Sequence, residues 1–101
     1  MKIVYCTCNV SVLESLQELL NRLEVKNFQI IDRVLANNKL GDNRFDTAVW
    51  PGYNVAVFVQ CHSNELAQEL MSAIKEFNIN AFNHNELIMA LTWTADDFCI
   101  D

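Results

Sequence analysis

Of the four cysteines and two histidines, the candidate soft ligands or nucleophiles are Cys6, Cys8, Cys61, His62 and His84. Cys6 and Cys8 lie two apart in a β-branched and aromatic stretch, so on a strand they project from one face about 6.5–7 Å apart along the chain. In the expected sheet strands one and three are parallel neighbours, so the end of strand one lies near Cys61 and His62. A fourth strand antiparallel to the first brings His84 and Glu86 to the same edge. Thiolate and imidazole together suit Zn²⁺ or Cu⁺. The competing reading is that buried free cysteines act as small hydrophobes, since Cys6 and Cys61 sit among hydrophobes, and that His62 is a solvated residue before a helix.

Catalysis has little to stand on. There is no Gly-rich phosphate loop, nucleophile elbow or HExxH element. Cys61 or Cys8 could pair with His84, but no third group orients the pair. A non-enzymatic protein is expected.

The frame that must position these residues is one domain spanning 1–101, hydrophobic at 51% and charged at 20%, with two Gly and one Pro. Such a composition excludes disordered, collagen-like and low-complexity chains. The formal charge is −6, with no basic run, which argues against nucleic-acid or anionic-membrane binding. The longest apolar runs, Val55 to Val59 and Leu87 to Leu91, are five residues each, far short of the roughly 20 that span a bilayer. The opening residues show no secretory h-region. A cytoplasmic protein with reduced thiols is expected.

Residues 2–8 read as a strand. Asn9 and Ser11 offer N-caps, Ser11 with Glu14 at capping-box spacing. Val12, Leu13, Leu16, Leu19, Leu20 and Leu23 then form the apolar stripe of an amphipathic helix. Residues 28–35 read as a second strand, followed by a polar loop at 36–46. Trp50-Pro51-Gly52 turns the chain into a third strand at 53–61, and Ser63 or Asn64 caps a second helix carrying Leu66, Leu70, Ala73, Ile74 and Phe77. Residues 86–94 form the fourth strand, with Trp93 expected in the core. An acidic segment ends the chain.

Strand–helix–strand twice over, with right-handed crossovers, predicts an α+β, ferredoxin-like βαββαβ fold. Its antiparallel sheet runs 4-1-3-2 and carries both helices on one face. Val55, Val57, Val59 and Cys61 then face one way and Ala56 and Phe58 the other; strand four alternates Leu87, Met89 and Leu91 against Ile88 and Ala90. Two helices leave a broad apolar face in water, more than monomers tolerate. A homo-oligomer is expected to cover it.

The Met1-Lys2-Ile3-Val4 opening, the long first helix, the loop at 36–46 and Thr47-Ala48-Val49-Trp50-Pro51-Gly52 before an apolar strand resemble the PII superfamily, in particular its small short-loop members. The resemblance implies a homotrimer with sheets packed about the axis and effectors bound in clefts between subunits. It also implies that the loop contacts a protein target such as a membrane transporter. Some short-loop relatives are linked with metal-efflux systems. The effector and partner surface then falls on 36–50, with Asn37, Asn38, Lys39, Arg44, Phe45 and Trp50 as candidates. Trp50 could equally pack into a neighbouring subunit, and Lys39 and Arg44 could be a solvated face.

Nucleotide-binding members use glycines at the start of this loop, a Gly- and Lys-containing turn before strand four, and C-terminal arginines. Here those stretches read Leu35-Ala36-Asn37-Asn38 and Asn80-Ala81-Phe82-Asn83-His84-Asn85, and residues 76–101 hold five acids and no Lys or Arg. ATP binding in the family manner is not expected. The trimeric CutA divalent-cation tolerance proteins resemble the same topology, and imply the alternative of a Zn- or Cu-binding trimer.

Overall fold

The β-branched and aromatic residues of the first segment favour strand β1, Lys2–Asn9, whose even positions Val4, Cys6 and Cys8 are buried. A 3-10 turn over Val10–Val12 leads into helix α1, Leu13–Arg22. Strands β2 (Phe28–Val34) and β3 (Asn54–Cys61) precede helix α2 (Asn64–Ile79). A second 3-10 turn at His84–Glu86 leads to strand β4, Met89–Thr94. The structure, a computed structural model, describes residues 1–38, 42–45 and 52–99.

The four strands form one sheet in the order β2-β3-β1-β4, the expected 4-1-3-2 order counted from the other edge. Every neighbouring pair is antiparallel. This corrects the parallel pairing of the first and third strands assumed for the ligand cluster. β1 and β2 share a direction through the α1 crossover, and β3 reverses against β2, so β3 must oppose β1. Cys61 consequently pairs with Lys2, while Cys8 pairs with Val55. The fourth strand also starts later than expected, because His84–Glu86 coils into the 3-10 turn.

Both helices pack on the face carrying Val4, Cys6, Cys8, Val55, Val57, Val59 and Cys61. Leu16 and Leu20 of α1 and Leu70 and Ile74 of α2 complete the core. Burying each of these aliphatic side chains contributes about 2 kcal/mol. Ser63 caps α2, its Oγ accepting from the Leu66 N–H at 3.2 Å. The Ser11–Glu14 capping box does not form. Asn9 is the cap instead, its side chain accepting from the Ser11 N–H, because the first turn there is 3-10.

The other face is uncovered by helices. Tyr5, Phe58 and Trp93 form an edge-to-face aromatic row, with centroid separations of 6.2 and 6.0 Å. Ile31, Met89 and Leu91 stand beside it, exposed. Trp93, expected in the core, is 40% exposed on this face because it pairs with Ile3 in the outward-facing register.

β2 carries a bulge between Ile31 and Val34, where Arg33 adopts a φ of +58°. The Arg33 guanidinium stacks 4.5 Å over the Tyr53 ring. Beyond the bulge Val34 pairs with Asn54, and Ala36 and Arg44 then exchange backbone hydrogen bonds of 2.7 and 2.8 Å. Gly52, at φ +83°, returns the chain beside the Arg44 side chain.

Candidate functional site

The end of β1, the start of β3, the loop base and the segment after α2 converge on a cleft of about 540 Å³. Its walls are rich in amides: Asn9, Asn37, Asn38, Asn54, Asn78 and Asn85 all line it, with Tyr5, Leu87 and Met89 as apolar surface. Asn9 and Asn54 meet because they are register partners at the ends of β1 and β3. Asn78 is a structural member. Its side chain donates to the Ile88 carbonyl and accepts from the Ile88 N–H, both at 2.8 Å, replacing a strand neighbour that β4 lacks there.

A polar strap joins the loop to the 3-10 turn. The Asp42 N–H donates to Asn85 Oδ1 at 2.7 Å, Asn85 Nδ2 lies 3.4 Å from Asp42 Oδ2, and Arg44 lies 3.7 Å from the same carboxylate oxygen. Inside the strap, the Asn38 N–H donates to Asn43 Oδ1 at 2.9 Å and Asn38 Nδ2 donates to the Asp42 carbonyl at 2.5 Å. Asn38 Oδ1 is thereby turned to Asn54, whose Nδ2 donates to it at 3.4 Å. Asn54 is 5% exposed, and its Oδ1 has no hydrogen-bond partner. A buried acceptor left unpaired costs about 1–3 kcal/mol.

Of the expected effector and partner residues, Asn37, Asn38 and Arg44 line this cleft. Phe45 is half-buried and lies outside the lining. Lys39 and Trp50 fall outside the described residues. Asn9, singled out by the sequence only as a helix cap, and Asn54, Asn85 and Tyr5 are not among the expected effector residues. Asn54, a polar residue heading the apolar run Val55 to Val59, was the available signal.

The proposed metal ligands do not converge. Cys8 and His84 line the cleft, whereas Cys61 and His62 lie at the far end of the sheet, about 20 Å away along the strand. Among the described residues no group of three or more His, Cys, Asp or Glu is placed to hold a metal ion. Burial pushes the Cys6 and Cys8 thiols up to about 12, with Cys8 and Cys61 adding to the shift at Cys6, and burial raises Cys61 as well. These cysteines are core residues, protonated at neutral pH.

A second, more open cleft of about 720 Å³ lies between the helices, edged by the almost fully exposed Phe82. It contains no buried polar group without a partner among the described residues, so the amide-lined cleft is the stronger candidate.

No protein-family model matches the chain, and no curated protein sequence does. Solved structures do match. A chain assigned as a PII-like signalling protein of Thermus thermophilus superposes with a TM-score of 0.64 at 22% identity, covering 91% of this chain and 83% of that one. CPII of Thiomonas intermedia, a nitrogen regulatory PII-like protein, superposes in its ADP- and bicarbonate-bound form with a TM-score of 0.67 at 15% identity, over 91% and 84%. The chain has a PII-like fold. CPII bound to ADP, AMP and acetate gives a TM-score of 0.65 at 16% identity, over 95% and 88%. At these identities the likeness concerns the fold. On this PII-like scaffold the amide-lined cleft lies at the base of the β2–β3 loop.

Proposed function

We propose that this chain is a non-enzymatic, PII-like regulatory protein. It binds a small effector in the amide-lined cleft and signals through the loop at 36–50, which contacts a protein target such as a membrane transporter. The carrying observation is the cleft itself: on a PII-like scaffold, the base of the loop and the turn before β4 wall a cleft lined by Asn37, Asn38, Asn54 and Asn85.

A homotrimer in the cytoplasm is the assembly that fits this reading. The open sheet face supports it, since Ile31, Met89, Leu91 and Trp93 are exposed together there. The same face holds the buried and unpartnered Gln60 Oε1. A second copy on that face would cover the apolar surface and could supply a donor. No helix among the described residues is long and apolar enough to cross a membrane.

CPII, of the same fold, has been solved with ADP, AMP and bicarbonate. These ligands set the first panel. Light scattering combined with thermal shift across adenosine, AMP, ADP and bicarbonate tests the reading. A trimer whose melting temperature rises with a panel member is the expected result. A monomer unmoved by every member contradicts it.

A further inference from the structure

We propose that the second cleft, a furrow between α1 and α2, docks a basic amphipathic helix of a protein partner, with Phe82 as the anchor. The furrow shares no lining residue with the amide-lined cleft. It lies on the helix-covered side of the sheet, so an assembly through the open face leaves it free.

Its shape selects a helix. Val12 and Leu19 on one side and Ala73 and Phe77 on the other give the furrow an apolar floor between two helices. Such a furrow receives the side-chain ridge of a third helix, whereas an extended peptide pairs with a sheet edge. Phe82 stands on the rim 95% exposed, and Ile79, at the end of α2, is 82% exposed. Phe82 is nevertheless held in place. Its N–H donates to Glu86 Oε2 at 3.1 Å, and the N–H groups of Asn80 and Ala81 bond back to carbonyls of α2. A fixed aromatic ring left in water beside an apolar floor is the kind of group that anchors an interface.

Charge selects a basic partner. Glu76 and Glu86 line the furrow, and neither has an ion-pair partner among the described residues. Glu69 shares their side of α2, at helical spacing from Ala73 and Glu76. Arg22 is the one Lys or Arg among the described lining residues, and it occupies the last turn of α1, where a cation complements the helix dipole. From Glu76 to the end of the sequence there are five acids and no Lys or Arg. A second copy of this −6 chain, or an anionic membrane, would be repelled by the same carboxylates. A helix with lysines or arginines flanking one apolar stripe matches both the floor and the rim.

Fluorescence anisotropy at physiological salt tests this with a labelled peptide of about 18 residues, leucines at i, i+3, i+4 and i+7 and lysines elsewhere. Wild-type protein should bind it at least about tenfold more tightly than a scrambled peptide of the same composition. Phe82→Ser should weaken binding at least about fivefold with the circular dichroism unchanged, because the ring is exposed. Glu76→Lys should weaken it at least about threefold. Asp96→Lys makes the same charge reversal at the opposite end of the sheet, next to the Ala95–Met1 bond, and should leave binding unchanged. Equal binding of the scrambled peptide, or wild-type affinity in Phe82→Ser, overturns the inference. A lower molar mass in Phe82→Ser also overturns it, since the furrow would then join copies of this chain. None of these outcomes touches the effector reading of the amide-lined cleft.

Discussion

Asn54 Nδ2 donates to Asn38 Oδ1 at 3.4 Å, joining the first residue of β3 to the base of the β2–β3 loop. This contact fixes which end of Asn54 is left over, the buried Oδ1 that has no partner. It also predicts a contrast between two asparagines. Asn54→Leu removes an unpaired buried oxygen at the expense of one long hydrogen bond, and should raise unliganded stability by about 1 kcal/mol. Asn78→Leu strips both backbone partners from the buried Ile88 and should lower it by about 2–4 kcal/mol. Denaturant melts of the two variants check the difference in sign.

The open sheet face makes a second prediction. Leu91→Glu and Trp93→Glu place a charge where a second copy would pack, on side chains that are exposed within one chain. Each should shift the molar mass from three times 11.6 kDa toward 11.6 kDa while leaving the circular dichroism of the fold intact. Unchanged mass in both variants would contradict assembly through this face.

The cysteines respond to pH in a defined direction. Cys6 and Cys8 are pushed up to about 12 by burial, from an ordinary value of 9.0. Above pH 9 the unfolded chain releases these protons and the folded chain keeps them, so the unfolded state binds fewer protons and stability falls as pH rises. The loss should steepen to about 1.4 kcal/mol per pH unit for each thiol between pH 9 and 12. At neutral pH a thiol reagent should label Cys99, the exposed cysteine, and spare Cys6, Cys8 and Cys61. Rapid labelling of Cys6 or Cys8 in folded protein would contradict their burial.

Backbone strain gives a pair of opposite signs. Gly52 at φ +83° should lose about 1 kcal/mol on Gly52→Ala, which forces a Cβ into the left-handed region. Glu24, at φ +57° just past α1, should gain a few tenths to about 1 kcal/mol on Glu24→Gly. Thermal melts should show shifts of several degrees per kcal/mol at this chain length.

Much of the scaffold is legible because strands and helices write their faces into the chain. Alternation along Val55 to Cys61 and Met89 to Trp93 places the helix-covered and open faces without coordinates. Ser63 announces α2 through its capping chemistry. The ligand cluster fails for a topological reason. A crossover taken by itself does not carry the reversal between β2 and β3, which puts Cys61 beside Lys2, far from Cys8. Trp93 departs from its expected place because aromatic character speaks for burial somewhere, and the open face offers burial only to an assembly. Asn54 does not stand out because an asparagine after a turn has an ordinary local explanation. Its meaning comes from Asn38 and Asp42, which only the folded loop brings beside it.

Hydrogen exchange of the wild-type protein with and without saturating adenosine tests the effector site most directly. Slower exchange is expected at the backbone amides of Asn38 and Asp42, which the strap of the amide-lined cleft holds, and of Asn85, which donates to Asn83 Oδ1 in the adjoining 3-10 turn. The amides of α1 facing the second cleft should remain unchanged. Protection confined to that second cleft, or none in 36–45 and 83–88, would contradict the assignment of the effector to the cleft at Asn54.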